Sequence, residues 1–408
     1  MEEWKEYKLG DLYDVHNGLS KGGKFFGSGY PFLSFKTVFN NYFLPAILPD
    51  LVQSNEKEQK GYDIKRGDVF VTRTSETPEE LGMSSIALKD YPSATYNGFT
   101  KRLRPKNTSL VYPEFIGYYL RSSKFRALFY GLASSMSTRA SLANGDLLGM
   151  RVFLPSYDSQ ERIANILKSF DDKIEVNRRI NDNLEQQAQA LFKSWFVDFE
   201  PFRDQPFVES ELGMIPEGWR VVSFKDFIEA STEKAPVDCY PEYSVTNNGI
   251  IPRNSKFNKK LSKSSSKNKV LKKDELVFGM SREILNWGIM EDEVGGVSSA
   301  YNVYKIDKGI VSPTYLRLYM RARVSDFNSL IGTAAREGQG LDKGQLMNKH
   351  IYIPTNSALQ DFLALFLPIT EAQLNYENES RRLAELRDTL LPRLMSGELK
   401  VNEIENAI

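Results

Sequence analysis

The stretch that decides the fold covers residues 159–199 and reads SQERIANILKSFDDKIEVNRRINDNLEQQAQALFKSWFVDF. Apolar or small residues recur along it at alternating steps of four and three, a heptad pattern. The seam positions are Ile163, Leu167, Phe170, Ile174, Asn177, Asn181, Leu184, Ala188, Leu191 and Trp195. No proline or glycine interrupts residues 156–200. The pattern predicts one helix of about 40 residues, about 60 Å long, which needs a partner along its length.

Two asparagines, Asn177 and Asn181, fall in the middle of this seam. Polar residues at such positions can fix the register of a coiled coil at some cost in stability. An equally good interpretation is that the helix pair splays there or meets another subunit.

A second segment of this kind begins at residue 357. Its apolar positions are Leu359, Leu363 and Phe366 early, then Leu383, Leu386, Leu390 and Leu394 late. The middle of the segment is polar, and Pro368 predicts either a kink or a late start of the helix.

The chain repeats itself at a period of about 200 residues. Four pairs match in the same order: Trp4 with Trp219, residues 65–71 with 272–278, residues 111–121 with 311–321, and residues 150–155 with 349–354. We therefore expect a first globular domain at residues 1–156, a long helix at 157–203, a second globular domain at 204–356, and a distal helix with a tail at 357–408.

The globular domains combine short apolar runs with proline-led helical patterns. We predict strands at residues 69–72, 152–154, 277–278 and 351–353, and helices at residues 113–126 and 313–327, each opened by proline in its first turn. Glycine and proline punctuate the remainder, which predicts long loops. The fold class is α/β, and its strand topology stays open.

Charge is distributed unevenly although the net charge of the 408 residues is zero. Residues 253–273 hold nine basic residues and no acid, whereas residues 158–200 and 358–408 each carry nine acids, against six and five bases. The net charge is zero because the positive charge of the globular parts is cancelled by the negative charge of the helical parts. A zero sum is therefore compatible with a local basic surface that binds phosphate. One cysteine, Cys239, and the lack of a membrane-length apolar run or a signal peptide lead us to expect a cytoplasmic protein.

Residues that catalysis needs are scarce. The two histidines, His16 and His350, and the single cysteine cannot form a zinc site of the common Cys/His type. The phosphate-binding glycine loop of ATPases is missing, and so is the Asn/Asp-Pro-Pro-Tyr/Phe segment of adenine methyltransferases. Asp171-Asp172 is expected to face solvent on the long helix, and residues 291–293 form a surface turn. We expect no catalytic residue and no metal ligand.

The helical segments carry a specific resemblance. Residues 159–175, 177–185 and 190–199 resemble the central conserved region of the specificity subunit of type I restriction–modification systems, and residues 386–399 (LRDTLLPRLMSGEL) resemble its distal region. Residues 9–12 (LGDL) and 65–69 (KRGDV) resemble parts of its target recognition domains. The second copy departs from the pattern because Asp274 stands where the first copy has a glycine.

This resemblance implies a DNA sequence-recognition subunit without catalysis of its own. Each globular domain would read one half of a bipartite double-stranded target, and the two long helices would pair as an antiparallel coiled coil that sets the unread gap. Two methyltransferase subunits would dock on the helices, and two motor-nuclease subunits would complete the enzyme. S-adenosylmethionine, ATP and Mg²⁺ would bind those partners and not this chain. Two alternatives are a helical scaffold whose globular ends bind protein, and a self-contained methyltransferase or nuclease with a divergent site.

We select candidate DNA contacts among side chains that can hydrogen-bond to base edges or neutralise phosphates. In the first domain they are Lys21, Lys24, Lys36, Thr72, Arg73, Thr74, Ser75 and Arg139; in the second they are Lys256, Lys259, Lys260, Lys263, Lys267, Ser281, Arg282 and Arg336. A solvated surface charge is the rival interpretation for each lysine or arginine, and a flexible solvated loop is the rival for residues 256–269. For helix pairing or partner docking we select Ile163, Leu167, Phe170, Ile174, Leu184, Leu191, Trp195, Leu383, Leu386, Leu390 and Leu394.

Overall fold

The chain divides into two compact units. In the computed structural model the described residues are 4–75, 80–134, 140–236, 239–253, 267–281, 283–332 and 340–401. The first unit comprises residues 1–179 together with 376–408, and the second comprises residues 180–375. Each unit therefore combines a globular part with halves of two long helices.

Over its described residues, the first unit contains eleven strands and six short helices before the first long helix. The strands are β1 (Lys5–Lys8), β2 (Tyr13–Asn17), β3 (Phe26–Leu33), β4 (Asp50–Val52), β5 (Val69–Thr72), β6 (Thr74–Ser75), β7 (Ser84–Ile86), β8 (Thr95–Tyr96), β9 (Thr100–Pro105), β10 (Ala140–Ser141) and β11 (Arg151–Leu154). The helices are α1 (Leu9–Leu12), α2 (Phe35–Asn40), α3 (Glu56–Gly61), α4 (Pro113–Arg121), α5 (Ser123–Ser134) and α6 (Asn144–Gly149).

A four-stranded antiparallel sheet in the order β2-β9-β5-β7 forms the frame of this unit. All four residues of β5 are buried, as expected for a short central strand that is covered on both faces. Helix α4 packs on this sheet because it buries Phe115, Ile116 and Tyr119 on the same core as Val69 and Val71. The mixed helix and strand content is confirmed, and among the named strand pairs only β3–β8 is parallel.

The second unit repeats this frame after the first long helix, α7 (Tyr157–Phe196). Its strands are β12 (Phe207–Ser210), β13 (Gly213–Pro216), β14 (Arg220–Ser223), β15 (Ile228–Ser231), β16 (Tyr243–Thr246), β17 (Gly249–Pro252), β18 (Lys269–Lys272), β19 (Leu276–Phe278), β20 (Trp287–Ile289), β21 (Val294–Val297), β22 (Asn302–Ile306), β23 (Ile331–Gly332), β24 (Gly340–Leu341) and β25 (His350–Ile353). Its helices are α8 (Pro313–Ala322), α9 (Val324–Asn328), α10 (Lys343–Met347) and the second long helix α11 (Asn356–Met395).

The strand order shows that the two units are structural copies. The second unit has an antiparallel sheet in the order β15-β22-β19-β20, which corresponds strand by strand to β2-β9-β5-β7. In both units the strand that precedes the sheet also pairs with the last strand before the long helix, β1 with β11 and β14 with β25. The two sheets thus have the same strand order, which is what the internal repeat in the sequence predicts.

The turn before β5 and β19 shows how the copies keep one geometry with different residues. Gly67 has a φ of 89° and Asp274 a φ of 66°, so both occupy the left-handed region. The next carboxylate closes each turn, since Asp68 accepts a hydrogen bond from the Lys65 amide at 2.7 Å and Glu275 accepts one from the Lys272 amide at 2.8 Å. The missing glycine of the second copy therefore does not alter the turn.

The two long helices each span 40 residues and pair with opposite directions within each unit. In the first unit, Asp171 contacts Arg387 at 2.5 Å and the Asn177 amide donates to Glu379 at 2.7 Å. In the second unit, the Asn181 amide donates to the Gln373 carbonyl at 3.2 Å. Both asparagines thus bond to the facing helix, which favours the register interpretation.

Three helix predictions need correction. The pattern at residues 113–126 is two helices, because Ser122 is extended and its amide returns to the Tyr119 carbonyl. The pattern at residues 313–327 is likewise divided between α8 and α9, at Arg323. Of the two outcomes predicted for Pro368, the late start is excluded, because α11 begins at Asn356.

Candidate DNA-recognition site

The candidate site of the first unit lies where β5 ends and the chain turns into β6. Arg73 follows β5 directly and is half-buried. Its amide donates to the Phe99 carbonyl at 2.9 Å, its carbonyl accepts from the Leu142 amide at 2.8 Å, and its guanidinium lies 3.4 Å from the Gly98 carbonyl. Arg73 is therefore fixed at the end of β5 by two neighbouring segments, at residues 98–99 and at Leu142.

Lys101 and Asn144 form a pair near Arg73 that the sequence did not indicate. Lys101, on β9, is almost fully buried, and its ammonium donates to the side-chain oxygen of Asn144. Burial lowers the pKa of Lys101, and the charge of Arg73 lowers it further. Arg73 and Lys101 are 28 positions apart in sequence, and the pairing of β5 with β9 brings their positive charges together. Such a pair favours an anionic or acceptor-rich ligand.

Hydroxyls on the candidate tips are used for folding. Thr72 is fully buried; its hydroxyl donates to the Glu80 carbonyl and accepts from the Met83 amide at 2.8 Å. Ser281 is buried as well, and it accepts from the Asn286 amide at 2.9 Å. The Thr72 and Ser281 side chains therefore stabilise the loops that follow β5 and β19. Because both are buried, they do not point outward to a ligand.

The other candidates of the first unit differ in how free they are. Lys21 is paired with Glu58 at 2.8 Å and is mostly buried, whereas Lys24 and Lys36 are exposed. Thr74 is half-buried on β6, which pairs with β10; Ser75 lies on the same strand, and its side chain is outside the described residues, as is Arg139.

Fewer candidates of the second unit can be placed. Lys267 is exposed, and Lys269, two positions on, donates to the Tyr301 carbonyl at 2.6 Å. Burial lowers the pKa of Lys269, with a smaller contribution from the charge of Lys343. The remaining predictions, Lys256, Lys259, Lys260, Lys263, Arg282 and Arg336, lie outside the described residues.

The residues chosen for helix pairing are packed with one exception. Buried or half-buried are Ile163, Leu167, Phe170, Ile174, Leu184, Leu191, Trp195, Leu383, Leu390 and Leu394, whereas Leu386 is 44% exposed. Arg387 turns inward in its place and pairs with Asp171, which also accepts the Tyr118 hydroxyl hydrogen bond at 2.5 Å. The expectation that Asp171 faces solvent was therefore wrong, because Arg387 and Tyr118 give this carboxylate buried partners.

Among the described residues there is no group of three or more His, Cys, Asp or Glu side chains placed to hold a metal ion. Within the same residues, no helix has the length and apolar character needed to cross a membrane. Cys239 is exposed, and Gly340 opens the short strand β24.

Comparison with known proteins gives one consistent family. Residues 1–186 match the family model described as type I restriction modification DNA specificity domain. The MjaIX specificity subunit of a type I restriction enzyme from Methanocaldococcus jannaschii is 27% identical over 420 residues, which cover 99% of this chain and 95% of the relative. The HindI specificity subunit from Haemophilus influenzae is 27% identical over 471 residues, which cover 98% of this chain and 100% of the relative.

A solved structure supports the fold. The crystal structure of a type I restriction–modification system S subunit from M. genitalium matches with a TM-score of 0.55 and 13% identity, covering 96% of both chains. The sequence matches show that the chain is similar to specificity subunits of type I restriction enzymes, and the solved structure supports a similar fold.

Proposed function

We propose that this chain is the non-catalytic DNA-reading subunit of a type I restriction–modification complex. Each globular part, residues 1–156 and 204–356, reads one half of a bipartite target. The observation that carries the proposal is the repeated frame: two sheets of identical strand order present different side chains at equivalent edges. Recognition of two unlike half-sites requires two domains of the same fold whose DNA-contacting residues differ.

The long helices supply the second part of the proposal. They form an antiparallel coiled coil that fixes the unread gap and docks two methyltransferase subunits. Support comes from the buried asparagine contacts, which fix one register in each unit. The exposed leucines Leu365, Leu367, Leu374 and Leu386 lie on α11 and remain available to a partner. S-adenosylmethionine, ATP and Mg²⁺ are bound by the methyltransferase and motor-nuclease partners.

Arg73 is the base-reading residue of the first half-site. Arginine can donate two hydrogen bonds to guanine in the major groove, and each such contact discriminates by about 1–3 kcal/mol. Thr72 acts through position only, since its hydroxyl is already bonded on both sides.

The proposal is tested by co-expressing the chain with its methyltransferase partner and mapping methylated adenines across the host genome. We expect a split motif with a fixed gap. Arg73→Ala should relax one or two bases in one half and leave the other half unchanged. Met280→Ala, at the equivalent position after β19, is the matched variant, and it should leave the bases of the first half-site unchanged. A continuous motif, or none, would contradict the two-headed reader.

A further inference from the structure

The turn before β9 recurs before β22 with one pronounced difference. In the first unit, the Asn97 side chain accepts from the Phe99 amide at 2.6 Å and the Asn97 carbonyl accepts from the Thr100 amide at 3.0 Å. In the second unit, Ser298 makes the same two bonds, to the amides of Ala300 at 3.3 Å and Tyr301 at 3.0 Å. Phe99 and Ala300 therefore occupy equivalent positions at the apex of one turn.

The fold does not need the phenyl ring at this apex. Phe99 is 60% exposed, and the second unit builds the same turn around a methyl group at Ala300, which is also exposed. A single exposed aromatic residue is ordinary on a protein surface. The rigidity of the turn and the charges beside it distinguish this one.

The backbone under Phe99 is clamped against residues 18–20. The Gly98 amide donates to the Leu19 carbonyl at 2.8 Å, and the Gly18 amide donates to the Thr100 carbonyl at 3.2 Å. The approach is so close that a Cβ on Gly18 would come within 2.0 Å of the Asn97 carbonyl oxygen. The ring is thus presented from a fixed base, which lowers the entropy lost when it contacts a ligand.

An arginine lies beside the same turn. The Phe99 carbonyl accepts from the Arg73 amide, and the Arg73 guanidinium lies 3.4 Å from the Gly98 carbonyl. Lys101 follows two residues later on β9. An exposed aromatic ring on a rigid turn beside an arginine matches how proteins insert or stack apolar side chains at nucleobases while a neighbouring cation contacts the nucleic acid.

We infer that Phe99 is a wedge residue, whose ring inserts beside a base step of the half-site read by the first unit while Arg73 contacts a neighbouring base. This inference rests on the proposed function. The second unit, with Ala300, reads its half-site without a wedge. The ligand chemistry is stacking between a phenyl ring and a nucleobase, and no bond is made or broken.

The test uses the complex with its methyltransferase subunits and a cognate duplex carrying 2-aminopurine, placed in turn at each position of the first half-site except the methylated adenine. Unstacking of one step should raise the fluorescence at that position. Phe99→Ala should abolish the rise and weaken binding about 10-fold or more, while Phe99→Trp should retain both.

Two control variants separate the wedge from general effects. Ile47→Ala removes another exposed apolar side chain of the same unit, 84% exposed, and should change neither fluorescence nor affinity. Ala300→Phe should leave the signal of the first half-site intact. Thermal unfolding of Phe99→Ala should match the parent, because alanine already serves at the equivalent turn.

The outcomes distinguish the two proposals. If the parent complex binds cognate and scrambled duplexes alike, the proposed function fails. If binding depends on sequence but Phe99→Ala keeps the fluorescence rise and the affinity, only the wedge is overturned.

Discussion

The two units have the same strand order, but the equivalent faces of α4 and α8 have different surroundings. On α4 of the first unit, Gly117 lies so close to Phe43 that a Cβ would meet its ring at 2.7 Å. Arg121, one turn later, donates to the carbonyls of Ser84, Val38, Phe39 and Asn41. Burial lowers the pKa of Arg121 to about 10. An aromatic segment thus fills the face of this helix.

On α8 of the second unit, the equivalent positions are Arg317 and Arg321, and no such segment covers them within the described residues. They line a cleft of about 570 Å³ together with Glu185, Tyr243 and Trp287. Arg317 reaches Glu291 across it. The repeat preserves strand order and turns, whereas the segments that pack over the sheets differ between the two units. Divergence of this kind lets one fold present two different surfaces.

The largest effect should come from breaking the second unit at its aromatic centre. Phe196 is fully buried, and its ring centroid lies 4.8 Å from that of Phe362 and 5.1 Å from that of Tyr315. Phe196→Ala should cost about 3–5 kcal/mol, because it removes a buried ring and leaves a cavity. Hydrogen exchange should rise in the second unit and stay near the parent in the first. Val176→Ala, at an exposed position of the same helix, is the control and should change little.

The next effect tests the polar centre of the first unit. Arg387→Ala leaves the partly buried Asp171 without its cation, which should cost about 3 kcal/mol or more. Urea denaturation of the full chain, followed by amide exchange in the first unit, measures it. A loss below about 1 kcal/mol would mean that water replaces the arginine and that Asp171 is effectively solvated.

A smaller effect separates positioning from base contact at Thr72. Thr72→Ala leaves the partly buried Met83 amide without its acceptor and should destabilise the first unit by about 1–2 kcal/mol. The methylated motif should keep the same bases, since the hydroxyl does not face a ligand. A changed base preference with unchanged stability would contradict this reading of the structure.

The smallest effect sharpens the comparison of the two turns. Gly67→Ala places a Cβ at a φ of 89° and should cost about 1–2 kcal/mol. Asp274→Gly, at the equivalent position, should change stability by less than about 1 kcal/mol, because relief of left-handed strain opposes the greater freedom of glycine in the unfolded chain. Equal losses in both variants would show that the turns are not equivalent. Thermal unfolding of the two variants measures the difference.

The sequence predicted those parts of the candidate site that depend on one segment. Arg73 follows a run of buried β-formers, so its place at the end of a strand could be read directly from residues 69–75. Lys101, Asn144 and Phe99 could not be chosen in this way, because nothing local distinguishes them from surface residues. They join Arg73 only through strand pairing and loop contacts over long sequence separations.

The first long helix, the internal repeat and four short strands could be predicted from the sequence, because each is encoded by a periodic pattern or a second copy within the chain. The uninterrupted length of the second helix could not be predicted in this way, nor could the pairing of Arg387 with Asp171, the internal hydrogen bonds of Thr72 or the clamped turn under Phe99. A periodic pattern reports which face of an element is apolar. The partner of a polar side chain depends on which distant segments fold against it, and that is fixed only by packing.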